Sequence, residues 1–291
     1  MKINITATTD IGNNRENNED AFAFCPDLSD PDWHLTRTGG YLPLGPLGAL
    51  IIVADGMGGT NAGEVASAVA IESISKTITS ESAKEAIDDD GKTRQLLTTA
   101  VQNADKAINQ HMVDHPDTAG MGTTIVICWI MQQKAYTAWC GDSRCYLYND
   151  KGLQPLSKDH SYVQELVDRG ELTEEETFTH PDNNVITRGL GDFDTMVTPD
   201  ITTTPVKAGD MFLLCSDGLC GYCTNDMIAK VMADSEADVD QCAEQLLQTA
   251  LEVPGDDNIC ITVVSLLDDD DERATPPSRF RAFLKKVFGK Q

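Results

Sequence analysis

Ile51-Ile52-Val53-Ala54-Asp55-Gly56-Met57-Gly58-Gly59 sets the frame for the whole chain. An apolar, β-branched run bounded by turn formers predicts a buried strand. Asp55 then sits at the strand's exit, and three glycines follow it within four residues. Glycine permits positive φ and leaves room for a ligand to approach bare backbone. One carboxylate on a rigid strand end, beside open carbonyls, suits a hard cation. For this stretch alone, a tight β-turn carrying a surface aspartate is the competing reading.

Upstream, residues 2–10 alternate as a strand does, and residues 21–24 resume that alternation. Between them runs a polar loop that holds Arg15, Glu19 and Asp20. Residues 25–48, rich in Pro, Gly and Asp, read as a long loop, which is usually functional or an insertion. Downstream, Asn61 with Glu64 three positions on predicts a capped helix from 61 to about 80. A polar connection over 81–91 leads to a second helix over about 93–111, with Leu96, Leu97, Ala100, Ala104, Ala107 and Ile108 on one side. Strands are expected over 124–131, 135–139 and 145–148, with Gly141-Asp142-Ser143-Arg144 between the last two. Ser161 with Gln164, and Thr173 with Glu176, mark short helices inside a polar stretch over 158–195, read as an inserted surface subdomain. The strand 211–215 runs into Ser216-Asp217-Gly218, a second Asp-Gly at a strand exit. Helices over 225–232 and 238–252 follow, and Asp256-Asp257-Asn258 leads into a last strand over 259–266. Strands in groups and helices in consecutive pairs favour antiparallel sheets packed on helix layers, an α+β fold.

A chain of 291 residues, 41% of them apolar, can bury a full core. It holds no apolar run long enough to span a bilayer, about 18 residues, and its N-terminus has no apolar signal core but reads as the first strand. The nine cysteines are scattered, mostly in apolar runs, and their odd number without a signal peptide points to a reducing cytoplasm. Cys220 and Cys223 have redox spacing without a βαβ context, and are read as structural thiols. No Cys-x5-Arg loop is present, against a thiol phosphatase. A net charge of −25 argues against binding nucleic acid through its phosphates.

Asp55, Asp217 and Asp257 each lie at a strand edge next to a glycine or a turn, and Glu19-Asp20 precede another strand. Such carboxylates, brought to one end of a sheet, repel one another unless cations separate them. Oxygen ligands select Mg2+ or Mn2+ over metals that prefer thiolate. Two such ions about 3.5–4 Å apart activate a shared water for in-line attack at phosphorus. Arg15 is the nearest forked donor for the phosphate.

The ordered series Arg15-x-x-x-Glu19-Asp20, Asp55-Gly56-x-Gly58-Gly59, Gly122-Thr123-Thr124, Gly141-Asp142-Ser143-Arg144, Ser216-Asp217-Gly218 and Asp257-Asn258 resembles the metal-dependent PP2C (PPM) protein serine/threonine phosphatases, most of all their compact bacterial branch. The resemblance spans about residues 5–266 and implies a central antiparallel β-sandwich flanked by pairs of α-helices. It implies that Asp55 bridges two metals, that the Gly56 carbonyl binds the second, and that Asp217 and Asp257 hold the first. Asp20 would act through water, Glu19 would join the second ion's surroundings, and Asp142 with Asp217 would form a weaker third site. Arg15 matches the phosphate-binding arginine, Asn258 a residue that orients Asp257, and 158–195 the flap over the cleft. Met57 stands where animal members carry a histidine proposed as general acid. A thioether donates no proton, so a metal-bound water would have to protonate the leaving alcohol.

The domains expected are a phosphatase unit over 1–267, an acidic and Pro-containing linker over 268–278 and a basic amphipathic tail over 279–291. Phe280, Phe283, Leu284, Val287 and Phe288 fall on one helical face of that tail, which suits an anionic membrane surface, a partner's groove or this acidic protein itself. His34, His111, His115, His160 and His180 are read as solvated surface residues, and Lys158 and Arg188 as members of flap salt bridges. The expected activity is Mn2+- or Mg2+-dependent hydrolysis of phosphoserine and phosphothreonine on proteins, opposing a serine/threonine kinase, by a cytoplasmic monomer. A catalytically weak phosphoprotein-binding regulator and a small-metabolite phosphatase are the alternatives.

Overall fold

A computed structural model describes residues 1–34, 40–58, 62–193 and 197–270. Gly59, Asn61, most of the linker and the whole basic tail lie outside these described residues. In chain order come β1 (Lys2–Asp10), β2 (Asp20–Cys25), β3 (Leu42–Pro43) and β4 (Ala49–Met57). Then follow α1 (Gly63–Thr77), α2 (Ser80–Ala86) and α3 (Asp90–Asp114). The middle of the chain holds β5 (Gly122–Thr123), β6 (Ile125–Ile130), β7 (Lys134–Cys140), β8 (Arg144–Asn149) and β9 (Gly152–Pro155). The inserted stretch contributes α4 (Tyr162–Asp168), α5 (Glu174–Thr177) and β10 (Leu190–Gly191). The last elements are β11 (Asp200–Pro205), β12 (Met211–Cys215), α6 (Asp217–Cys220), α7 (Asn225–Asp234), α8 (Val239–Glu252) and β13 (Ile259–Leu267).

The strands form two sheets, both antiparallel. One runs β3-β1-β13-β12-β8-β9, the other β10-β5-β4-β6-β7-β11 with β2 paired to β4. The sheets face each other across a dry layer that includes Phe24, Ile51, Val53, Val126, Phe212, Leu214 and Val264. Helices α1 to α3 cover the outer face of the β4 sheet, and α6 to α8 that of the β12 sheet. The architecture is therefore α+β, a sandwich between helix layers. It also explains why residues 49–54 are apolar without alternation. Ala49, Ile51 and Val53 point into the sandwich, while Leu50, Ile52 and Ala54 point at the helices. A strand buried on both faces has no polar side to alternate with.

Several boundaries differ from the sequence reading. Helix α1 starts at Gly63 with Ala62, not Asn61, at the N-cap position and no side-chain cap bond. The stretch expected as a polar connection contains α2, capped by the reciprocal Thr79–Ser82 box. Strands β9 and β11 were not expected. Residues 200–205, DITTTP, are half-exposed and polar, and end in proline, as an edge strand allows. The Ser161 and Thr173 caps form as the spacing predicts, the second with both bonds of the box.

Candidate metal centre

The side-chain parity of the sandwich builds the site. Inward-facing positions are apolar along most of each strand and turn polar at one end. Asp55 follows Val53 on β4, and Asp20 precedes Phe22 on β2, with Asp20 and Asp55 direct partners across that strand pair. Thr124 precedes Val126, Ser143 precedes Cys145 and Ser216 follows Leu214. Strand register brings these positions to the same end of the sandwich, because Cys215 pairs with both Arg144 and Ile261. Asp257 lies there too, in the turn before β13.

Five aspartates meet at this end: Asp20, Asp55, Asp142, Asp217 and Asp257. Asp20 and Asp142 are buried, while Asp55, Asp217 and Asp257 keep part of their surface open. Burial, more than any neighbour, raises four of them, Asp20, Asp55, Asp142 and Asp217. It pushes Asp20 up to about 8, against the Ser216 hydrogen bond, with Asp217 and Asp257 adding to the rise. Asp217 is pushed up to about 7 by burial and then by Asp257. Asp55 lies well above the usual carboxylate range, first from burial and then from Asp20, Asp217, Asp142 and Asp257. Asp142 is raised by burial, Asp217 and Asp159. With these carboxylates ionised, Asp20 Oδ1 and Asp217 Oδ1 are buried with no donor in reach. Asp55 lies close enough for a shared proton to bridge its carboxyl to either. Among the described residues, no three acid, His or Cys side chains already surround one point as ligands do.

Orphaned acceptors and mutually raised carboxyls are what a divalent cation relieves, and an all-oxygen donor set fits Mg2+ or Mn2+. The residues present therefore fit the ions that the sequence reading calls for. Gly56 is hemmed in, since an added Cβ would lie 2.1 Å from the Gly63 carbonyl oxygen. At Gly218 it would lie 1.9 Å from the Asn258 carbonyl oxygen, so the Asp217 segment packs directly on the turn carrying Asp257. Gly218→Ala is expected to cost about 2 kcal/mol by overpacking, read as a lower Tm, and to weaken Mn2+ stabilisation with it.

Arg15 is half-exposed; its Nε donates to the Asp256 carbonyl at 2.8 Å and its Nη2 to Asp257 Oδ2 at 2.8 Å. It stands at the rim, held by the acid it neutralises. Asn258 does more than flank Asp257. Its backbone amide donates to Asp257 Oδ1 at 2.9 Å, while its side chain ties down the 11–19 loop. Nδ2 donates to the Ile11 and Asn17 carbonyls, and Oδ1 accepts from the Glu19 amide. The Glu19 carbonyl in turn accepts from Gly56 N at 3.2 Å and Ser67 Oγ at 2.7 Å. The Glu19 carboxyl is raised, chiefly by burial.

Ser216, Thr123 and Thr124 were quoted in the motifs without a role. Ser216 Oγ donates to Asp20 Oδ2 at 2.6 Å and accepts from Cys260 N at 2.8 Å, joining the two sheets. Thr123 Oγ1 and Thr124 N both donate to the Asp55 carbonyl, at 2.8 and 2.9 Å. Inward parity at a strand end is the signal that would have found Ser216 and Thr124. Arg144 grips Asp159 through Nε at 2.8 Å and Nη2 at 2.7 Å.

One histidine reading is overturned. His160 is buried, 8% exposed, with Trp139 stacked on its ring. Burial lowers its pKa, so the ring is neutral at pH 7. Lys158 pairs with Asp168, and Arg188 with Asp200, so both take part in salt bridges. All nine cysteines are buried and free, and burial lifts Cys223 to about 11. Thiols so placed are structural. No helix among the described residues is long and apolar enough to cross a membrane.

The family profile described as Protein phosphatase 2C matches residues 9–259. Over 230 residues, 78% of the chain, it is 35% identical to the serine/threonine protein phosphatase PstP of Mycobacterium tuberculosis, but spans only 42% of that relative's length. It is 32% identical over 270 residues to the protein phosphatase PhpP of Streptococcus pneumoniae, covering 93% of this chain and 100% of PhpP. The solved catalytic domain of PstP, in complex with two manganese ions, superposes with a TM-score of 0.71 at 32% identity, over 92% of this chain and 99% of that one. With the sandwich, the acid-lined end and these likenesses in agreement, the chain belongs to the protein phosphatase 2C family.

Proposed function

We propose that this protein hydrolyses phosphoserine and phosphothreonine monoesters on other proteins, using Mn2+ or Mg2+. The observation that carries the reading is the five-aspartate end of the sandwich, with two buried carboxylate oxygens that lack any donor. Asp55, the Gly56 carbonyl, Asp217 and Asp257 would hold two ions, with Asp20 and Glu19 around them and Asp142 beside Asp217 at a third. Bound there, the ions supply Lewis-acid activation of water and neutralise phosphate charge. The chain's own residues do the rest. Arg15 binds the phosphate at the rim by its forked donors. Ser216 and Asn258 hold Asp20 and the 11–19 loop in place. Met57 offers no proton, so the leaving alcohol takes its proton from water.

Nine buried free thiols support a reducing, cytoplasmic setting. The substrates we assign are targets of a serine/threonine kinase, and the unit acts as a monomer. Release of phosphate from a phosphothreonine peptide in Mn2+, abolished by EDTA and restored by Mn2+, tests the reading. Faster turnover of sugar phosphates than of the peptide would replace it with a metabolite phosphatase. No turnover of either would leave a phosphoprotein-binding regulator.

Two substitutions separate the roles. Arg15→Ala is expected to raise KM for the peptide about tenfold, the loss of roughly one charge-assisted hydrogen bond to phosphate, with a smaller fall in kcat. Asp142→Ala is expected to lower kcat while Mn2+ affinity at the two main sites, measured calorimetrically, stays the same. Unchanged turnover at saturating Mn2+ removes the third-ion role from Asp142.

A further inference from the structure

Three segments meet at His160. Its backbone amide donates to the Gly141 carbonyl at 3.0 Å, and its own carbonyl accepts from Thr187 N at 2.7 Å. The inserted stretch is thus sewn to the Gly141 turn through one residue. On the side chain, Gly141 N donates to Nδ1 at 3.1 Å. Nε2 lies 3.1 Å from Asp200 Oδ2 and 2.9 Å from Arg188 Nη1. A backbone N–H can only donate, so Nδ1 must carry the lone pair. A neutral imidazole has one N–H; on Nε2 it donates to Asp200 and keeps the Gly141 bond, two contacts against the single Arg188 N–H that the other tautomer would accept. Arg188 also reaches for Asp200, at 3.4 Å, and that shared attraction brings it beside the ring.

Gly141 immediately precedes Asp142, and the bond between its amide and the ring is buried. On the other side, Ser143 Oγ bonds Thr124 Oγ1 at 2.7 Å. The Asp142 peptide is thereby clamped from both directions. Thr124 anchors it to the Asp55 strand, and His160 anchors it to the inserted stretch.

We infer that His160 is a positioning residue for the phosphatase site: its Nδ1 lone pair holds the Gly141–Asp142 peptide and so sets where the Asp142 carboxylate stands. The role rests on the phosphatase reading and concerns Asp142 alone among the acids. It also makes the inserted stretch a structural support of the centre, since its His160 and Arg188 meet at this ring.

The test compares His160→Asn and His160→Gln in the full chain, with Tm recorded for both. The variants lose the same ring packing against Trp139. Asn places a carbonyl oxygen near the former Nδ1 and can still accept from Gly141. Gln places its amide near the former Nε2 and leaves the Gly141 amide without an acceptor. Gly141 amide proton exchange, followed by NMR in metal-free protein, is expected to remain slow in His160→Asn. In His160→Gln it should accelerate about tenfold, the loss of one buried hydrogen bond. On a phosphothreonine peptide in Mn2+, kcat should fall about tenfold in the Gln variant, with KM unchanged, and stay within about threefold of wild type in the Asn variant. Equal exchange and equal kcat in the two variants would overturn the assignment, as would parallel losses tracking Tm. Inactive wild-type protein would fail the phosphatase reading, while the exchange comparison would still decide the role of the ring.

Discussion

Asp55→Asn is expected to cut phosphate release from a phosphothreonine peptide in Mn2+ by at least about a thousandfold, roughly 4 kcal/mol of transition-state stabilisation. The amide keeps the shape but halves the acceptor oxygens and removes the charge. The same change should stabilise the metal-free protein. Asp55 adjoins four other aspartates at this end of the sandwich, and its own ionisation is resisted by burial and by them. A neutral amide there relieves that repulsion, so Tm in EDTA should rise by about 3 °C, while the Tm gain on adding Mn2+ largely disappears. Opposite signs for activity and metal-free stability separate a lost ligand from a damaged fold. Full turnover in the variant would remove Asp55 from the chemistry.

The metal-free protein should also become more stable as the pH falls from 8 to 5.5, by about 5 °C in Tm. The sign follows from the shifts. Asp20 stands at about 8 and Asp217 at about 7 in the folded protein, against about 3.9 in an unfolded chain. Between these values the folded state holds protons that the unfolded state does not, so stability drops as the pH rises. The contribution is complete below the unfolded value and is lost through pH 7 to 8. Divalent ions displace those protons on binding. Their stabilisation should therefore grow over the same interval, largest at pH 8. Scanning calorimetry in EDTA and in Mn2+ reads both slopes, and Asp217→Asn should flatten them. A metal-free Tm that climbs from pH 5.5 to 8 would contradict the packed cluster of carboxyls.

Much of this was legible in the sequence because strand ends and chemistry coincide. The run ending at Asp55 could be read as buried because both faces of β4 are covered. The cap boxes at Ser161 and Thr173 could be read because their bonds are local. Strand β11 escaped because its residues face solvent at a sheet edge and carry no apolar period. Helix α2 escaped because its seven residues are mostly polar and its cap box uses serine at the third position. His160 escaped for a different reason. Its partners, Gly141 and Asp200, are 19 and 40 positions away, and no local pattern announces a ring packed between them. The convergence of the acids came from order along the chain and a family resemblance. Ser216 and Thr124 needed the sheet register, which decides which polar residue looks inward.

The first and last strands of the α+β unit lie side by side, paired from Lys2 with Leu267 to Asp10 with Ile259. Strand β13 also separates β1 from β12. During vectorial synthesis on the ribosome, the nascent polypeptide therefore carries a sheet with a gap at its middle until β13 has emerged. Asp257 arrives just ahead of the closing strand. Such non-local pairing folds slowly, and the waiting edges of β1 and β12 are open to mispairing. The cation cage cannot assemble piecemeal, so a truncated translation product should neither retain manganese nor release phosphate.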